Sequence, residues 1–134
     1  MTYISGSIRA ALAGAGALVL AGLAIPVGAA ELIMLEQGGC PWCERFNREI
    51  APAYPLTPEG KRAPLRRVQL HAPLPADLKF LIKGNFTPTF VLIDKGREVG
   101  RIRGYPGDNF FWGMLDQLLA KLPPENDSNS KPTD

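Results

Sequence analysis

"QGGCPWCERF", residues 37–46, holds both cysteines of the chain. Pro41 and Trp42 separate Cys40 from Cys43. Three readings are open: a structural staple, a pair of metal ligands, or a dithiol that changes redox state. The stretch before it, "LIMLEQ" (32–37), is a short apolar strand candidate. Gly38-Gly39 breaks that strand. A helix then begins at Cys40, with Pro41 in its first turn, where a missing N–H leaves no hydrogen bond unmade. Cys43, Phe46 and Ile50 fall on one face of this helix, and Pro52 ends or kinks it.

A helix that opens on a cysteine makes a particular electrostatic site. Its first N–H groups are unsatisfied and carry partial positive charge. A thiolate there is stabilised and its pKa falls. Cys40, at the exposed start, is the candidate nucleophile. Cys43, one turn further in, is expected to be more buried and to resolve a mixed disulfide. Pro41 stiffens the turn, and Trp42 is expected at the rim of a groove.

The rival readings use the same two residues. As a staple, a bond across two residues closes too small a loop to constrain the unfolded chain much. As a metal module, Cys40, Cys43 and His71 would suit Cu(I). A closed zinc site needs four ligands, and the chain has a single histidine. A third class of function, a peptide binder, would use Trp42, Phe86 and Tyr105.

Outward from the motif, residues 51–64 carry four prolines and read as a connecting excursion. "LRRVQLH" (65–71) is a second strand, with Leu65, Val68 and Leu70 as its apolar members. "ADLKFLIKG" (76–84) is a short helix candidate that stops at Gly84. "TFVLID" (89–94) is a buried strand, turned by "KG" (95–96) into the antiparallel "REVGRIRG" (97–104). A last helix is expected from an Asp108 N-cap. Its apolar stripe would be Phe110, Phe111, Met114, Leu115, Leu118, Leu119 and Leu122. The order β-α-β-α-β-β-α predicts an α/β fold: a mixed four-stranded sheet flanked by helices. Phe46, Val68, Phe90, Leu92, Phe111 and Leu118 are its expected core.

The first 29 or 30 of the 134 residues read as a secretory signal peptide. Arg9, the apolar run from Ala10 and the small residues Val27-Gly28-Ala29 match its three regions, with cleavage after Ala29 or Ala30. A retained membrane anchor is the alternative, but the run is short for a span. Residues 31–122 then form one domain. Residues 123–134, nearly all polar, read as a disordered tail. Without Arg9, 14 basic and 13 acidic residues remain, a balance that asks for neither nucleic acid nor lipid as a partner. It permits a monomer. The basic run "KRAPLRR" (61–67) reads as a solvated loop entering a strand. Export would place the dithiol in the periplasm, where disulfides persist.

Thr87-Pro88 precedes the buried strand. A proline at such a strand entrance can be cis, in a tight turn. Beside Cys40, the Thr87 backbone could pair with an extended substrate segment. "CPWC", this "TP" and Gly104 after the hairpin, in this order and spacing, resemble the thioredoxin superfamily. The resemblance covers about 31–122, and the direct start at the CxxC strand is similar to the glutaredoxin-sized form. It implies a thiol–disulfide oxidoreductase with Cys40 as attacking thiol and Cys43 as resolving thiol. It implies substrate contacts at Pro41, Trp42, Thr87 and the cis-proline Pro88, with Gly104 keeping the groove open. It implies no cofactor beyond the Cys40–Cys43 disulfide itself, and no metal. With an export signal and "GRIRGYPGDNFFWGMLDQLL" (100–119), the chain is similar to the periplasmic SoxS type of bacterial sulfur-oxidation gene clusters. That type implies a sulfur-carrier protein as substrate, reduced by this chain. In an oxidising periplasm a reductant needs electrons from a membrane electron-transfer protein, and an oxidant needs reoxidation by a membrane partner. The residues leave the direction open, and the resemblance favours the reductant. One departure concerns the buried acid that thioredoxins carry before the motif. Met34 stands there; Glu36, nearer the dithiol, is the candidate to substitute for it, against the reading of a solvated loop acid.

Overall fold

A computed structural model describes residues 30–124. The expected signal segment, and the tail from residue 125, lie outside the described residues. The strands are β1 (Glu31–Glu36), β2 (Leu65–Gln69), β3 (Thr89–Asp94) and β4 (Arg97–Arg103). The helices are α1 (Pro41–Glu49), α2 (Pro58–Arg62) and α3 (Asp108–Leu119). The strands form one sheet in the order β2-β1-β3-β4. β1 and β2 are parallel, and the other two pairs are antiparallel. This is the expected fold class.

Side chains alternate across the sheet, and both faces are covered. Leu32, Met34, Phe90, Leu92 and Ile102 join Phe46, Tyr54, Phe111 and Leu115 on the helical face. Ile33, Leu35, Val68, Val91 and Ile93 pack against Leu70, Leu78 and Leu81 on the other. That is why β1 and β3 read as unbroken apolar runs. All six expected core residues are buried, with Val68 in the second cluster. The β3–β4 turn follows from "KG": Lys95 and Gly96 both have positive φ, 49° and 72°, as a two-residue hairpin requires.

Four expectations need correction. The helix over 76–84 is a single 3₁₀ turn, Ala76–Leu78. Leu78 and Leu81, three apart, are its buried anchors, whereas Phe80 and Ile82 are exposed. Only Leu78 and Leu81 pack on the sheet, so the rest of 76–84 has no buried face to hold it helical. The excursion 51–64 is partly helical: a 3₁₀ turn, Tyr54–Leu56, leads into α2. Thr57 caps α2 by accepting the Gly60 N–H at 3.0 Å, and Pro58 sits at its first position. A Cβ at Gly60 would overlap the Tyr54 carbonyl, so this position admits no side chain. In α3 the N-cap is Gly107 rather than Asp108. The expected stripe is also too broad, because Phe110 and Met114 face outward, 71% and 39% exposed. An α-helix buries a narrower arc against one sheet than the full set of apolar residues on α3 would cover.

Candidate active site

α1 begins where the sequence places it. Cys40 is its N-cap, with extended backbone (φ −92°, ψ 104°), and Pro41 is its first residue. Gly39, at φ 71°, makes the turn from β1. Cys40 and Cys43 are joined by a disulfide, with Cα atoms 5.3 Å apart. The Cys43 N–H donates to Cys40 Sγ at 3.1 Å. One of the orphan donors at the helix start is therefore already aimed at the sulfur that would carry negative charge in a thiolate. The helix supplies this donor by its geometry alone.

The expected difference in burial between the two cysteines is nearly absent. Cys40 is 5% exposed and Cys43 3%. The disulfide and the Cys43 amide hold the Cys40 sulfur back over the helix end.

Thr87, Pro88 and Gly104 lie at the same end of the sheet. Leu35 pairs with Thr89, and Thr89 with Arg103, so the end of β1, the start of β3 and the end of β4 are level. The Gly104 N–H donates to the Pro88 carbonyl at 2.7 Å. Thr89 Oγ1 donates to the Phe86 carbonyl at 2.7 Å, closing the turn from the other side. The Thr87–Pro88 peptide is cis. Pro88 is buried, while Thr87 is half-buried. Trp42 and Phe86 are exposed, 53% and 66%.

Tyr105 departs from the peptide-binder reading. It is 4% exposed, with its ring against Phe46 and Phe111. Its hydroxyl donates to Glu49 at 2.6 Å, and Arg45 donates to the same carboxylate at 2.9 Å. The Arg45 guanidinium lies 5.8 Å from the ring centroids of both Trp42 and Tyr105. Arg45, Glu49 and Tyr105 thus brace α1 against the loop after β4 and put a cation beside Trp42. Residue spacing signals the Arg45–Glu49 pair, but no local pattern joins it to Tyr105. The Arg45 hydrogen bond, then that of Tyr105, holds the Glu49 carboxyl below its ordinary value. Burial first, then the hydrogen bond to Glu49, pushes the Tyr105 hydroxyl up. A carboxyl with a depressed pKa stabilises the fold above its unfolded value and loses that contribution as pH falls. Tyr105→Phe is expected to raise the Glu49 pKa partway, since Arg45 remains; carboxyl titration by NMR reads it, and an unmoved Glu49 would refute the coupling.

The candidate acid and the candidate metal ligand are placed elsewhere. Glu36 is the last residue of β1, not a solvated loop acid. Its side chain is 15% exposed and bonded to Arg67 at 2.8 Å. The parallel register, which sets Met34 against Arg67 and Glu36 against Gln69, creates that pair. His71 is exposed, with Nε2 3.0 Å from Gln37 Oε1. It does not join the two cysteines. Among the described residues, no group of three or more His, Cys, Asp or Glu side chains is placed to hold a metal ion.

No protein-family model matches the chain, and no curated protein does. Solved structures do. The chain is similar to the periplasmic thioredoxin SoxS from Paracoccus pantotrophus in its reduced form, at 49% identity and a TM-score of 0.65. The match covers 69% of this chain and 97% of that one. A thioredoxin from Thermus thermophilus matches at 22% identity and a TM-score of 0.54, over 69% of this chain and 75% of its own. A Malassezia sympodialis thioredoxin, Mala s 13, matches at 16% and 0.51, over 66% and 76%. These last two speak for the fold alone. Identity of one residue in two over nearly all of SoxS, with the dithiol in place, speaks for the chemistry as well: the chain belongs to the thioredoxin superfamily, on its SoxS-like side, and is a thiol–disulfide oxidoreductase.

Proposed function

We propose that this oxidoreductase works in the periplasm, after removal of its first 29 or 30 residues, and reduces a disulfide or mixed disulfide on a partner protein. A sulfur-carrier protein is the proposed partner. The observation that carries the reading is the 49% identity to a periplasmic thioredoxin across 97% of its length.

In the proposed cycle the Cys40 thiolate attacks one sulfur of the partner's disulfide. The partner's S–S bond breaks, and its leaving sulfur takes a proton. Cys43 then loses its proton and attacks the Cys40 sulfur. The mixed disulfide breaks, the partner leaves with its second thiol, and the Cys40–Cys43 disulfide re-forms. Two electrons pass to the partner. Thr87 offers its backbone to an extended segment beside the scissile bond. Pro41, Trp42, Pro88 and Gly104 shape the groove around it. A membrane electron-transfer protein, supplied from the cytosol, would return the electrons, because the periplasm has no reducing thiol pool of its own.

Cys43→Ser, expressed in the native periplasm, tests this. Cys40 can then attack but cannot be released. A discrete mixed disulfide with a sulfur-carrier protein is the expected result, and it should vanish when Cys40 is also replaced. Adducts with many secreted proteins would replace this reading with general disulfide repair.

A further inference from the structure

Asn47 lies on α1, four residues after Cys43. Its Oδ1 is buried, and among the described residues it is the only such side-chain atom that accepts no hydrogen bond. A buried acceptor left without a donor is costly, and each one in a native fold calls for a reason. Side chains four apart on a helix share a face. A long side chain also leans toward the helix N-terminus, over the turn before it. The i, i+4 spacing therefore sets Asn47 on the face of α1 that carries Cys43. Phe46 occupies the other flank of that face, packed on Phe90, Tyr105 and Phe111.

In the disulfide form Cys43 has no proton to donate. On reduction the Cys40–Cys43 bond breaks. A dithiol reductant gives up two electrons and two protons and becomes a disulfide. One of those protons goes to Cys43, whose S–H is then a hydrogen-bond donor. Two side-chain acceptors on the adjoining strand β1 are engaged or weak. Glu36 is taken by Arg67, and the Met34 sulfur, in the same buried cluster as both cysteines, also faces Arg67 at 3.5 Å.

We propose that Asn47 Oδ1 is the acceptor for the Cys43 thiol, a hydrogen bond made only in the reduced protein. It is a positioning residue, not a reacting one. The bond lowers the free energy of the dithiol, while the orphaned oxygen raises that of the disulfide. Both effects draw the equilibrium toward the dithiol and make the protein a milder reductant than the same fold without the amide. The bond also keeps the proton on Cys43 and leaves Cys40 as the thiolate.

The test compares Asn47→Leu and Asn47→Ala with the parent protein. Each is equilibrated in dithiothreitol redox buffers, and the melting temperature of its oxidised and reduced forms is measured. Both variants are expected to shift the equilibrium toward the disulfide by about fivefold, which is about 20 mV more negative. In both, the reduced form should lose stability relative to the oxidised form. An unchanged potential in both variants, or a shift to less negative values, would overturn the proposal. A shift in the alanine variant that leucine abolishes would also overturn it, because that pattern marks lost packing rather than a lost acceptor.

Discussion

Cys40→Ser is expected to abolish dithiol–disulfide exchange, with reduction of a protein disulfide falling at least about a thousandfold, as when other enzymes lose their nucleophile. The fold should survive. Serine is a favoured N-cap, and its Oγ can take the Cys43 N–H that Cys40 Sγ accepts at 3.1 Å. The lost disulfide closed only a four-residue ring, so little chain entropy returns to the unfolded state. An unchanged melting curve beside a dead enzyme is therefore the expected pair of results. Serine fails because its hydroxyl, unlike a thiol, is not ionised at neutral pH even at a helix N-terminus. Cys43 does not take over: it lies inside the first turn of α1, without the N-cap position that stabilises a thiolate at Cys40. An assay of insulin reduction with limiting dithiothreitol measures the loss. Residual exchange near the parent rate would show that Cys43 reaches substrate, and the assignment of the two thiols would have to be exchanged.

Local signals made much of this molecule legible. Gly-Gly followed by Cys-Pro marked the β1–α1 turn, because both a glycine φ and a proline at the first helical position are local demands. Lys-Gly marked the hairpin for the same kind of reason. The misreadings came where two local rules competed. Four prolines between 51 and 64 argued for a loop, yet Thr57-Pro58 is itself a helix start, and the resulting turn is held by the Tyr54 hydroxyl donating to the Ala63 carbonyl at 2.8 Å. At 76–84 the apolar spacing suited a helix, but only Leu78 and Leu81 meet the sheet. The cysteine pair could be placed from sequence because its geometry is contained in one helical turn. Glu49 and Tyr105 are 56 residues apart, and their hydrogen bond exists only because β4 returns its end to the side of α1. The orphaned oxygen of Asn47 is likewise a property of packing, which no spacing encodes.

That packing has one dominant member. Phe46→Ala is expected to destabilise the protein by about 3–5 kcal/mol, the usual range for a fully buried phenylalanine. Phe46 is 0% exposed. Its ring lies 4.6 Å from Phe90 on β3, 5.2 Å from Phe111 on α3 and 5.6 Å from Tyr105. One side chain thus joins the dithiol helix to the sheet and to the last helix, and edge-to-face contacts of this kind add to the area term. For a domain of this size such a loss lowers the melting temperature by roughly 15–30 °C. Against a total stability of about 5–15 kcal/mol, it removes a large part of the fold's margin. Phe110→Ala is the control: its ring is 71% exposed, and the change should matter little. The disulfide cannot rescue the Phe46 variant, because a bond within one turn of α1 does not tie that helix to anything else. Chemical denaturation of the oxidised protein, its Phe46→Ala variant and its Phe110→Ala variant decides the matter. A loss below about 1.5 kcal/mol at Phe46 would mean that α1 is held by its Arg45–Glu49–Tyr105 brace rather than by its buried face.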